Sequence, residues 1–208
     1  MKNQRDNKRF WEKVSGLYGL FMKCSGRLYN DICEQIRPHL NREMTVLELA
    51  CGTGQLSIPL SCRVRLWEAT DFSNHMIAEA KKNGGSSRLH FSVQDATCLP
   101  YGSETFDAVV IANALHIMPE PQLALEEIHR VLKIDGCLFA PTFIQGNSIG
   151  FRVRMALMGL VGFRPFHKWS ASALAEYVSG FGFQITEQTQ LGGSLTPLCC
   201  LCAEKSHG

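Results

Sequence analysis

The stretch Val46-Leu47-Glu48-Leu49-Ala50-Cys51-Gly52-Thr53-Gly54-Gln55-Leu56-Ser57 constrains the fold more than any other part of the chain. Its apolar first half suits a strand buried on both faces of a parallel sheet. Gly52 and Gly54 then permit a turn too tight for a residue with a side chain, so a ligand can approach the backbone closely. A helix that begins directly behind such a turn aims its unpaired N–H groups at the ligand, which favours an anionic or hydroxyl-rich group. Strand, glycine turn and helix start in this order open many nucleotide-binding folds.

Glu48-x-Ala50-x-Gly52-x-Gly54 resembles the E/D-x-G-x-G-x-G signature of the class I, Rossmann-like S-adenosylmethionine-dependent methyltransferases, with Ala50 in place of the first glycine. If Ala50 keeps a negative φ it fits without strain, whereas a positive φ there would weaken the assignment. A dinucleotide site would need a glycine at Ser57 to let helix and strand pack closely, so the turn speaks against a nicotinamide-dependent oxidoreductase. The resemblance implies a doubly wound α/β fold: a mostly parallel seven-stranded sheet with an antiparallel last strand, helices on both faces and an N-terminal helical cap. It implies S-adenosylmethionine as cofactor and S-adenosylhomocysteine as product, with cofactor contacts from Glu48, Ala50, Cys51, Gly52, Thr53 and Gly54.

Further anchors follow in register. Val64 to Thr70 reads as a second strand ending in Asp71, about 20 residues beyond the turn, where a carboxylate can grip both ribose hydroxyls. Ser73 is placed to cap the next helix, and Phe72 and Met76 offer apolar cover for an adenine face. Leu89 to Val93 is a third strand, and the resemblance implies that Asp95 and Ala96 behind it meet the adenine. Phe106 to Ala112 is a fourth strand, ending at Asn113, whose loop would pass beside the sulfonium. That loop, Asn113-Ala114-Leu115-His116-Ile117-Met118-Pro119, lacks the Pro-Pro-Tyr of methyltransferases acting on bases and amides. His116 can face the substrate as a general base, because imidazole titrates near neutral pH, or can simply be structural. Pro121 to Leu132 has one apolar stripe of a helix, stopped by Asp135-Gly136, with a fifth strand from Cys137 to Ile144.

The chain has 208 residues, 45% of them hydrophobic and 19% charged, which suits a single domain spanning 1–208. Residues 1–40 read as an amphipathic helical cap, in which Tyr18 matches the aromatic half of a family pair that closes the site. Residues 146–168 read as a lid-like insert that interleaves Arg152, Arg154, Arg164 and Lys168 with apolar residues, Phe166 among them, on the side where a methyl acceptor would sit. Such a lid suits a lipophilic or amphiphilic small molecule, and an ordinary packing helix has the same pattern. A net charge of +2 gives no field for attracting nucleic acid. With no signal-like start and no long apolar run, a soluble cytoplasmic protein is expected.

The nine cysteines, at 24, 33, 51, 62, 98, 137, 199, 200 and 202, form no disulfide framework. Cys199-Cys200-x-Cys202 lacks the spacing that lets thiolates share a zinc ion, so no metal is expected, and on a strand Cys200 and Cys202 share one face. The overall pattern looks closest to the small-molecule methyltransferases of ubiquinone and menaquinone biosynthesis. A noncatalytic module that binds S-adenosylmethionine would keep every cofactor residue, and an RNA methyltransferase would have to use the 152–168 segment as its basic surface.

Overall fold

Val46, Leu47 and Leu49 have no solvent exposure, as a strand covered on both faces requires, and the sheet is built outward from them. The computed structural model describes residues 26–146, 148–160 and 165–206. In chain order they form α1 (Gly26–Ile36), β1 (Thr45–Leu49), α2 (Ser57–Leu60), β2 (Leu66–Asp71), α3 (Asn74–Lys82), β3 (Leu89–Val93), β4 (Phe106–Ile111), α4 (Pro121–Val131), β5 (Leu132–Phe139), β6 (Thr142–Phe143), α5 (Ile149–Leu160), α6 (Ala171–Ser179), β7 (Phe183–Leu191) and β8 (Leu198–Lys205). The parallel strands lie in the order β3-β2-β1-β4-β5, β8 runs antiparallel beside β5, and β7 pairs antiparallel with β8.

The expected seven strands are present, although eight are counted. β5 and β6 meet β8 in one register, from Cys137 opposite Glu204 to Phe143 opposite Leu198. Ala140 N still donates to Leu201 O across the gap at 2.9 Å, and between the two segments lies Pro141, whose carbonyl faces away from β8 and accepts from Asn113 N. The helix expected to reach Leu132 ends at Val131, and β5 begins at once instead of at Cys137. Asp135-Gly136 is therefore a bulge within the strand. The register jumps from Phe106 opposite Leu132 to Ala108 opposite Cys137, and Asp135 takes a φ of 61°.

Side-chain alternation divides the core between the two faces of the sheet. Leu47, Leu49, Val109, Ile111 and Leu138 pack against Leu125 and Ile128 of α4 and Leu174 and Val178 of α6. Val46, Trp67, Ala69, Val110 and Phe139 pack against Ile32 and Ile36 of α1, Leu60 of α2 and Ile77 of α3. Cys199 belongs to the first face, and Cys200 and Cys202 to the second. Ser73 caps α3 as its sequence position suggests, accepting from Met76 N at 3.3 Å. Gln145 N donates to Trp169 O at 2.9 Å, so residues 146–168 leave and rejoin the fold at one point.

Candidate functional site

The strand order reverses between β1 and β4, because β2 and β3 lie to one side of that pair and β5 to the other. In open α/β sheets the crevice beyond the carboxyl ends of such a pair is the ligand position. Two residues without the freedom of glycine take the left-handed conformation at those strand tips, Ala50 at φ 53° beyond β1 and Asn113 at φ 54° beyond β4. Asparagine tolerates this region, whereas alanine gives up roughly 1–2 kcal/mol to enter it. The condition that Ala50 keep a negative φ is thus not met. The turn holds its geometry nonetheless, with Gly52 at φ 57° and Gly54 at φ 89° beside it, because bonds from outside the turn impose it.

Asp71 supplies one of those bonds. Its Oδ2 accepts from Gly52 N at 2.9 Å and its Oδ1 from Ser73 N at 2.8 Å, so one carboxylate ties the glycine turn to the start of α3. Cys51 N donates to Thr70 O at 2.9 Å alongside. Each carboxylate oxygen accepts about two hydrogen bonds, so both retain capacity for ribose hydroxyls. Burial pushes the Asp71 carboxyl upward, and the two backbone N–H groups pull it back. Asn113 is held by donating its backbone N–H to Pro141 O at 2.7 Å and its Nδ2 to the Tyr29 hydroxyl at 3.3 Å. The carbonyl that receives the backbone bond lies at the break between β5 and β6. Asn113 Oδ1 is buried with no partner among the described residues.

A cleft enclosing about 1070 Å³, counting its open mouth, brings together Ala50, Gly52, Asp71, Phe72, Met76, Asp95, Ala96 and Asn113. Asp95 Oδ1 accepts from the backbone N–H and the hydroxyl of Thr97, which fixes the carboxylate and leaves its other oxygen for an exocyclic amine. Phe72 is exposed and Met76 buried, one on each side of the helix entrance. These residues fit S-adenosylmethionine: two oriented carboxylates suit ribose and adenine, and the orphaned Asn113 carbonyl suits an ammonium. Gln94 and Thr97 behind β3, and Ile117, Met118 and Glu120 behind β4, also line the cleft. Sequence reasoning missed them; the one available signal was their place in loops following strands that point at the turn.

Other expected contacts lie elsewhere. Thr53 and Gly54 are outside the lining, Thr53 being engaged by Gln55 Nε2 and Asn83 Nδ2, and Cys51 faces the second core cluster. Glu48 turns away from the cleft and accepts from Trp67 Nε1 at 2.9 Å in full burial. That burial raises its pKa to about 8, against the pull of the indole. The Ser57 hydroxyl is near this carboxyl but outside hydrogen-bond geometry. Glu48 therefore links β1 to β2 and lies outside the cleft lining.

His116 is buried behind the wall formed by Ile117 and Met118, edge-on to Phe143 at 5.9 Å. Burial, aided by His167, lowers its pKa to about 4, so it is neutral and does not titrate near pH 7 as expected from its side chain alone. Its carbonyl accepts from Phe166 N at 3.0 Å and His167 N at 3.1 Å, clamping the end of the 146–168 segment to the cleft wall. Phe166 itself is exposed and outside the cleft lining. His167, which sequence reasoning passed over, stacks on Trp169 at 4.9 Å. Tyr18 lies outside the described residues.

Two stability measurements test this geometry. Ala50→Gly should raise the free energy of unfolding in denaturant by up to about 1 kcal/mol, because relief of left-handed strain exceeds the entropy gained by the unfolded chain; a lower value would contradict the strain. Below about pH 4.5 Glu48 is protonated folded and unfolded, whereas between about 4.5 and 8 only the folded state holds the proton. Stability from this group is therefore full at low pH and lost as pH rises toward 8, by at most about 1.4 kcal/mol per unit. Glu48→Gln, which keeps an acceptor for Trp67, should flatten the fall in melting temperature between pH 5 and 8. Parallel curves for the two proteins would contradict the buried, protonated carboxyl.

Comparisons with known proteins agree with this geometry. Residues 46–136 match the model of a methyltransferase domain family. The chain is 36% identical over 161 residues to the ubiquinone/menaquinone biosynthesis C-methyltransferase UbiE of Desulfotalea psychrophila, covering 66% of this chain and 65% of that one. It spans less than two thirds of the length of the curated relatives it matches. Among solved structures, a chain of the complex containing the Haloferax volcanii Trm112 methyltransferase activator superposes with a TM-score of 0.79 at 15% identity, covering 97% of this chain and 98% of that one. Magnesium protoporphyrin IX methyltransferase of Synechocystis with bound S-adenosylhomocysteine superposes with a TM-score of 0.69 at 19% identity, covering 87% and 83%. The chain is thus similar in sequence to a methyltransferase domain over residues 46–136 and shares the fold of these solved methyltransferases over nearly its whole length.

Proposed function

We propose that the protein transfers the methyl group of S-adenosylmethionine to a small, lipophilic acceptor of the quinol type. The observation that carries the reading is the cleft at the β1/β4 reversal, which is lined by the acceptors of Asp71, Asp95 and Asn113 and by the apolar Ile117 and Met118. The relative from Desulfotalea psychrophila, named for quinone biosynthesis, supports an acceptor of that class. The cofactor supplies an already activated methyl group on a sulfonium. The chain's own task is then to orient it, hold the acceptor in line and exclude water.

Ala50 and Gly52 form the floor of the site. Asp71 holds the ribose, Asp95 the adenine amine between Phe72, Met76 and Ala96, and Asn113 Oδ1 the ammonium. Glu48, Cys51, Thr53 and Gly54 shape the turn from behind. His116, with a pKa of about 4, is too weak a base to hold much of a proton at neutral pH. Its part is to fix the 166–167 backbone against the wall. A demethylated quinol with labelled S-adenosylmethionine should yield methylated quinol and S-adenosylhomocysteine in equal amounts. Asp71→Asn should weaken cofactor binding by ~1–3 kcal/mol, because a charged acceptor becomes a neutral one. Cofactor binding with no turnover on any quinol or other lipophilic acceptor would exclude the reading in favour of a binding module.

A further inference from the structure

From Gly136 to Ala175 the sequence contains no Asp or Glu, while it carries Arg152, Arg154, Arg164 and Lys168. Within this stretch α5 presents an unusual face. Ile149, Val153 and Ala156, at spacings of four and three, are all exposed, Ile149 at 80% and Val153 at 53%. Arg152 is exposed beside them, and Phe166 (52% exposed) and Lys168 are exposed where the segment rejoins the fold.

The helix is fixed in this orientation. Ser148 Oγ accepts from Phe151 N at 3.0 Å and donates to Ser194 O at 2.7 Å, which ties the first turn to the loop before β8. Phe151 packs on Gly146, where an added Cβ would come within 2.7 Å of its ring. With Phe151 turned inward, Ile149 and Val153 necessarily turn outward. Exposed apolar side chains interleaved with cations, in a stretch of sequence without carboxylates, mark an interaction surface, not a solvated helix face.

We propose that this face of α5, with Phe166 and Lys168, docks on an anionic lipid bilayer. Charge selects the occupant. Residues 1–25 carry Lys2, Arg5, Lys8, Arg9, Lys13 and Lys23 against Asp6 and Glu12, so that segment shares the sign of the surface and is repelled by it. A second copy would likewise bring cation to cation. Phosphate headgroups complement the cations, and the acyl region accepts Ile149, Val153 and Phe166. At twelve residues α5 is about 18 Å long, and no described helix is long and apolar enough to cross a membrane, so α5 lies on the surface instead of spanning it. Because the Phe166 and His167 N–H groups bond to the His116 carbonyl behind the cleft wall, the docked face stands next to the site. Docking does not depend on which acceptor is methylated.

The test is flotation of the full chain with phosphatidylcholine vesicles containing phosphatidylglycerol, and with vesicles of phosphatidylcholine alone. Binding is expected to the first and not the second, and to fall steeply in 0.5 M salt. Arg152→Glu and Lys168→Glu should each weaken it by roughly fivefold or more, the effect of one basic residue near such a surface. Ile149→Glu with Val153→Glu should abolish it while S-adenosylmethionine affinity, read on the same sample, stays unchanged and reports a folded site. The proposal is overturned by equal binding to both vesicle types, or by binding that survives Ile149→Glu with Val153→Glu, which would point to residues 1–25. It is also overturned by no binding, or by a dimer in sedimentation that these substitutions dissolve.

Discussion

One carboxylate holds the site together. Asp71 stands at the end of β2, yet its two oxygens bond the amides of Gly52 behind β1 and Ser73 at the head of α3. The glycine turn can therefore adopt its left-handed conformations, including the strained one at Ala50, because a neighbouring strand imposes them. The bond also accounts for the spacing that makes this acid recognisable. A residue that must reach both the turn and the head of α3 sits at the tip of the adjacent parallel strand.

The opposite wall follows from a similar economy of backbone. Pro141 lies at the break between β5 and β6, and its carbonyl takes the amide of Asn113. Asn113 is thereby held left-handed at the tip of β4, with its side-chain carbonyl buried at the cleft and unpaired among the described residues. An unmade hydrogen bond at such a depth costs ~1–3 kcal/mol in isolation. Its persistence beside two oriented carboxylates is the mark of a site completed by a ligand, not of an apolar core.

Much of this was legible in the chain. Near-continuous apolar runs at Val46–Leu49 and Phe106–Ile111 identified the two central strands, and the interval from turn to acid identified Asp71. Side-chain direction was not legible. Glu48 and Ala50 lie two apart in the same motif, but Glu48 points back to Trp67 while Ala50 lines the cleft, since the chain turns left-handed between strand and loop. The Asp135-Gly136 signal was real but marked a bulge, because a two-residue turn and a strand irregularity use the same residues. The Ile117 and Met118 wall and His167 carry no motif; packing alone assigns them. The low pKa of His116 likewise depends on burial that no local pattern encodes.

The carboxylates of Asp71 and Asp95 and the orphaned carbonyl of Asn113 fit the cleft to a sulfonium nucleoside and not to a dinucleotide. Calorimetric titration of the purified, cofactor-free chain with S-adenosylmethionine, S-adenosylhomocysteine and NAD addresses this directly. Saturable binding of the first two at one site per chain, with no heat from NAD, is the predicted result. Binding of NAD in preference to both would contradict the assignment of the cleft.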